Sequence, residues 1–168
     1  SSKIIENSSY KILTKTDPID LIGLNSSKTI TLIGAFPSYI QRISLTKNKL
    51  FVLEQNEQAL NEDFRRFYVP AEQYTSILPD SDIVVITGST LVNNTFENLM
   101  EYTRKESIII VTGPSSSFIP DVLFDYGINI IGSVRITDPD IVLKVVSEGG
   151  AGYHLFRYCA EKICILQK

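Results

Sequence analysis

Two corners of this chain carry the residue types from which a binding pocket is made. The first, Thr87-Gly88-Ser89-Thr90-Leu91-Val92-Asn93-Asn94-Thr95, follows the apolar run Ile83-Val84-Val85-Ile86. The second, Gly113-Pro114-Ser115-Ser116-Ser117, follows Ile108-Ile109-Ile110-Val111-Thr112. In each, glycine permits a sharp turn and the residues after it offer uncharged donors and acceptors. In the first corner the candidates are Ser89, Thr90, Asn93 and Thr95, four of the six polar residues in nine. That is more than a helix cap alone requires, although Asn93 or Asn94 has the chemistry of a cap. The tetrad Asn94-Thr95-Phe96-Glu97 predicts a helix start, whose free N–H groups and dipole favour an anion. Ser115 and Ser116 sit in a loop stiffened by Pro114 and Pro120, where a rigid turn explains them as well as a ligand contact does.

Other positions are weaker. Gly34-Ala35-Phe36-Pro37-Ser38 occupies the place of a phosphate-binding turn, but the G-x-G-x-x-G spacing is absent and Phe36-Pro37 would keep a pyrophosphate off the backbone. Glu54 lies 20 residues beyond Gly34, where dinucleotide folds hold a ribose hydroxyl. That pairing admits a nucleotide-like ligand on topology alone. Asp138 reads as an N-cap and Arg135 as a surface residue. Glu148, His154 and Cys159 are the candidates for a soft-metal shell, and Cys164 is expected in the core. None of them falls in a C-x2-C or H-x3-H zinc spacing. With one histidine and no G-x-S-x-G elbow, a serine triad is not supported. No catalytic residue is assigned.

The corners need a scaffold. A continuous β-branched run is what a strand buried on both faces looks like, and this points to a parallel sheet under helices. Strands are expected at residues 29–35, 50–53, 82–87, 107–112, 128–131 and 162–166. Helices are expected after Asp17-Pro18, from Ser38 (a capping box with Gln41) to about 47, over 70–78, from about 94, from Pro120 to Gly127, after Asp138-Pro139 and around 153–160. Such alternation predicts an α/β fold: a Rossmann-like, doubly wound, mainly parallel sheet of about six strands with helices on both faces. Ligands then bind beyond the carboxyl ends of the strands. Residues 1–16 are expected to be a tail, or the remnant of a missing N-terminal region, and 17–168 one domain.

Bulk properties narrow the partners. A net charge of −3 and a pI near 5.2 argue against a general nucleic-acid binder. No apolar run reaches the ~20 residues of a membrane span. The two cysteines form no disulfide framework, which fits a reduced, cytoplasmic setting.

Four segments resemble one family. Residues Asp82 through Thr95, with Thr87-Gly88-Ser89-Thr90-Leu91-Val92-Asn93-Asn94-Thr95 at their heart, are similar to its longest motif. Gly113-Pro114-Ser115-Ser116, Ile33-Gly34-Ala35-Phe36-Pro37 and Val146-Ser147-Glu148-Gly149-Gly150 resemble three others. The family is the heavy-metal chelation domain family of archaea and bacteria, and the resemblance runs in order over about residues 17–168. It implies a Rossmann-like domain handling a metal or a metal chelate, in longer members preceded by a small N-terminal domain. Asn94 and Ser116-Ser117 depart from the family pattern, the latter losing a proline. The residues carried over suit a small anionic or nucleotide-like ligand better than a metal shell. Three readings stay open: a metal or metal-chelate binding domain, an enzyme using a nucleotide or S-adenosylmethionine-like cofactor, and an assembly module needing an N-terminal partner domain. A homo-oligomer is compatible with each.

Overall fold

Ile83–Thr87 and Ile108–Thr112 do form adjacent strands, β5 and β6, and the reason is visible in their burial. Alternate side chains of a strand point to opposite faces. Val84 and Ile86 pack with Ile109 and Val111 on one face, while Ile83 and Val85 pack with Ile110 on the other. Ile83, Val84, Val85 and Ile86 are completely buried, so no position in the run tolerates a polar residue. The computed structural model describes residues 10–91, 95–113, 120–150 and 152–168.

The sheet has eight strands rather than about six. They are β1 (Tyr10–Thr14), β2 (Thr29–Ile33), β3 (Lys49–Glu54), β4 (Tyr68–Pro70), β5, β6, β7 (Ile130–Ile136) and β8 (Ala160–Gln167). Their spatial order is β1-β8-β7-β6-β5-β2-β3-β4. From β7 to β4 every neighbouring pair is parallel, and β8 and β1 add two antiparallel pairings at one edge. Both additional strands lie at an edge. Tyr10–Thr14, inside the stretch read as a tail, gains its ladder only from β8, where Tyr10 faces Gln167. Tyr68–Pro70 is three residues long, too short to show a period.

Helices cover both faces. On one side are α2 (Tyr74–Ile77), α3 (Phe96–Tyr102) and α4 (Pro120–Asp125), which contribute Tyr74, Phe96, Leu99, Leu123 and Phe124 to the core. On the other, α1 (Pro37–Ser44) and the 3-10 turn Pro18–Leu21 contribute Tyr39, Ile40, Ile43 and Ile19. The last two helices, α5 (Pro139–Ser147) and α6 (Gly152–Tyr158), follow β7 and lead into β8. The expected helix over 70–78 is instead a series of short turns around α2.

The amino edge of the sheet is pinned by polar links. The Asp82 carboxylate accepts the Thr29 N–H at 2.8 Å and the Arg104 guanidinium at 2.7 Å, and these hold it below the usual carboxylate range. Thr31 and Ser81 share a buried hydrogen bond of 2.7 Å, and the Ser107 hydroxyl donates to the Ser81 carbonyl at 2.6 Å. At the opposite edge the loops after β2 and β5, adjacent strands whose chains leave in opposite directions, open a crevice. In an open parallel sheet this is where ligands are bound.

Candidate functional site

The crevice is built from two corners locked together. After β2 the chain turns at Gly34, with φ of 106°, in the region L side chains rarely adopt. A Cβ there would lie 3.2 Å from Thr87 Cγ2, so the glycine serves both the turn and the close approach of β5. The next residue is tied to β3: the Ala35 N–H donates to Glu54 Oε2 at 3.0 Å. Glu54 Oε1 accepts from Gln55 N–H at 2.8 Å and, at 3.4 Å, from Asn56 N–H. Glu54 therefore fastens two loops of the crevice before it meets any ligand. The helix beyond begins at Pro37, not at a Ser38 cap; Phe36 is the N-cap residue and makes no side-chain cap. Proline at the first helical position, where an N–H has no partner, moves the N-cap two residues upstream of Ser38, and no capping box forms.

After β5 the residues Gly88–Leu91 make a 3-10 turn. Thr90 is buried, and its hydroxyl donates to the Thr87 carbonyl at 2.8 Å. Ser89 is exposed and donates to Thr87 Oγ1 at 3.3 Å. Thr90 thus shapes the turn while Ser89 and Thr87 face the opening. Thr95 is the N-cap residue of α3. The two Thr-Gly corners abut: a Cβ on Gly113 would stand 3.6 Å from the Gly88 nitrogen, and Thr87 faces Thr112 across the ladder. Asn93, Pro114, Ser115 and Ser116 lie outside the described residues.

Between these corners and α2 and α3 is a cleft of about 470 Å³, within the range of small-molecule sites. Of the expected residues it brings together Gly34, Glu54, Thr87, Ser89, Thr90 and Thr95. Four polar lining residues had no sequence signal: Gln55, Glu72, Tyr74 and Asn98. Glu72 and Tyr74 come from the turns after the three-residue β4, and Asn98 lies inside a helix that was expected only to start the site. Ile33, Leu53 and Leu99 form the apolar floor. Among the described residues Glu54 and Glu72 are the charged groups of the wall, and no lysine or arginine lines it. The anion expected from the helix start and the hydroxylic corners meets, among the described residues, a wall of its own negative sign.

Phe36 and Gly113 do not line this cleft. They belong to a second cavity of about 260 Å³ on the α1 side of the sheet, so the single pocket expected from the corners is two, divided by the 34–36 corner. At the second cavity the Asp17 carboxylate takes hydrogen bonds from the Tyr39 hydroxyl and from Lys162 Nζ, the latter at 2.6 Å. Burial pushes the Asp17 carboxyl up, but the Lys162 and Tyr39 hydrogen bonds outweigh it and hold the group below the usual range. Burial, reinforced by Asp17, pushes the Tyr39 hydroxyl far up. Burial also pushes the Cys164 thiol up to about 12.

The soft-metal candidates are not gathered. Glu148 is the exposed C-cap residue of α5, His154 is half-buried within α6, and Cys159 is buried beyond its end. Among the described residues no group of three His, Cys, Asp or Glu side chains is placed to hold a metal ion. Arg135 is committed to Glu161, with contacts of 2.5 and 2.9 Å. Asp138 caps α5 as expected, accepting from the N–H groups of Asp140 and Ile141 at 3.1 Å each. No helix among the described residues is long and apolar enough to cross a membrane.

Comparison with known proteins gives the family and the fold. The model of the DUF364 family, described as "Putative heavy-metal chelation", matches residues 17–165. The chain belongs to the DUF364 family. An uncharacterized protein of Methanocaldococcus jannaschii is 33% identical over 86 residues, which is 51% of this chain and 33% of that protein. Two solved DUF364 structures of unknown function share the fold. The one from Pyrococcus horikoshii has a TM-score of 0.77 at 22% identity, covering 96% of this chain and 61% of its own. The one from Desulfitobacterium hafniense has a TM-score of 0.72 at 22% identity, covering 90% and 57%. This DUF364 chain thus spans a third of the curated relative and about three-fifths of each solved one.

Proposed function

We propose that this chain is a cytoplasmic, Rossmann-like ligand-binding domain whose cleft takes a metal ion already held by a small chelator. The observation that carries the reading is the make-up of the wall. Two carboxylates and a set of hydroxyls face a volume too large for a bare ion, and no third His, Cys, Asp or Glu joins them among the described residues. Such a wall can complete the shell of a chelated cation but cannot supply one. Glu54 and Glu72 would face the cation, Thr87, Ser89 and Thr95 would hydrogen-bond the chelator, and Tyr74 and Leu99 would cover its apolar part. Hard oxygen donors also suit a complex whose softer positions are already filled.

The position of the cleft at the reversal of strand order favours a second reading, a nucleotide or S-adenosylmethionine-like cofactor with Glu54 toward its ribose. Three backbone N–H groups already engage Glu54, which leaves of its roughly four lone-pair sites room for one further partner, a cation or a single hydroxyl, and not for a hydroxyl pair. A thermal-shift comparison separates the two. Nickel(II)–nitrilotriacetate at ~100 times its dissociation constant should add roughly 2.7 kcal/mol of stability, while nucleotides and S-adenosylmethionine should leave the melting temperature unchanged. The reverse pattern would replace the first reading with the second.

A further inference from the structure

The second cavity has a chemistry of its own. Its polar groups meet on one wall: Tyr39 donates to Asp17 Oδ1, and Lys162 Nζ donates to Asp17 Oδ2. The Ile19 N–H, at 3.2 Å, also occupies Asp17 Oδ1. The carboxylate thereby takes three donors and works as a bracket that fixes the two side chains it binds. Lys162 is held from the other side by the Phe156 ring, 5.8 Å from its Nζ. An ammonium has three N–H donors, and the hydrogen bond to Asp17 is the one Lys162 makes among the described residues. Half of its side chain is exposed, 51% against 15% for Asp17. The remaining wall is mostly apolar, with Pro18, Phe36, Val134, Phe156 and Ile163. Phe36 is braced by its stack on Tyr39, with ring centroids 5.5 Å apart.

We propose that this cavity is a binding site for a small aromatic monocarboxylate, its carboxylate on the free N–H groups of Lys162 and its ring against Phe36 and Phe156. A volume of about 260 Å³ accepts a ring and a short acid arm but not a nucleotide. The Lys162–Asp17 pair is neutral as a whole, so the ammonium's remaining N–H groups can hydrogen-bond a monoanion at the smallest cost in repulsion from Asp17. A phosphate dianion would bring two charges to the same ammonium and face the Asp17 carboxylate as well. The site is independent of the proposed cleft, since the residues that would hold the acid are not those that would hold the chelate.

Titration of the whole chain with phenylacetate, followed by amide chemical shifts and calorimetry, tests it. Saturable binding is expected, with shifts centred on Ser133, Val134 and Phe156. Lys162→Gln should weaken it by about tenfold or more, the loss of a charge-assisted hydrogen bond. Should that variant fail to fold, Phe156→Ala carries the test, because Phe156 is 42% exposed and its truncation leaves the core intact; it too should weaken binding. Phenethylamine and inorganic phosphate should not bind. Absence of saturable phenylacetate binding, phosphate binding as tight, or affinity indifferent to both variants would overturn the proposal. Loss of phenylacetate binding in Glu72→Gln would also overturn it, by moving the acid to the other cleft.

Discussion

Glu54 shows how one side chain can read as chemistry in sequence and as architecture in structure. Its place at the end of the second parallel strand suggested a ribose, but its oxygens hold N–H groups from the loops after β2 and β3. Replacing it with alanine leaves those donors without their acceptor, so Glu54→Ala should lose about 1–3 kcal/mol in urea denaturation. Gly34→Ala should be similarly harmful, by about 1–3 kcal/mol, because its φ of 106° and the 3.2 Å approach of Thr87 act together. Gly132 is tighter still: a Cβ there would stand 2.4 Å from both Pro18 Cγ and Thr112 Oγ1. It lets the Pro18 turn seat on β7 and so brings Asp17 to Lys162.

At the scale of elements, hydrophobic pattern and caps carried most of the information. The fully buried β5 and β6 were legible because both faces select apolar β-branched residues, and Asp138 was legible because a cap followed by proline has few other uses. Asp138→Ala should cost about 1 kcal/mol, read as a lower urea midpoint with an unchanged slope. β1 was not legible, since an edge strand whose partner lies at the other end of the chain leaves no local signal. Nor was β4, and Glu72 and Tyr74, which follow it, were lost to the sequence reading for the same reason. The polar corners did mark the carboxyl edge correctly. What they could not show is that the 34–36 corner divides it, because that depends on which side of the sheet Phe36 packs. The sign of the cleft was hidden likewise, since Glu72 reaches the wall from a turn with no motif.

For the whole molecule, the ionisable groups set a stability plateau with two limbs. The carboxyls of Asp17 and Asp82 are held below their ordinary value of 3.8 in the fold. They contribute stability above that pH, and it is lost as pH falls further and both become protonated. On the alkaline side the Cys164 thiol is raised from 9.0 to about 12, and Tyr39 is raised above its ordinary 10.0. Unfolded chains ionise these groups first, so stability is full below about pH 9 and falls as pH rises toward 12. Melting temperatures against pH should show both limbs, and Cys164→Ala should flatten the alkaline one without moving the acid one. These limbs describe the scaffold; the cleft is tested by its ligand. The most direct measurement is equilibrium dialysis with metal analysis on protein purified without a polyhistidine tag, comparing nickel(II)–nitrilotriacetate with nickel(II) alone. The account predicts stoichiometric retention of the chelate, little retention of the bare ion, and loss of the chelate in Glu54→Gln/Glu72→Gln. Equal retention of the bare ion, or chelate retention indifferent to the double substitution, would contradict it.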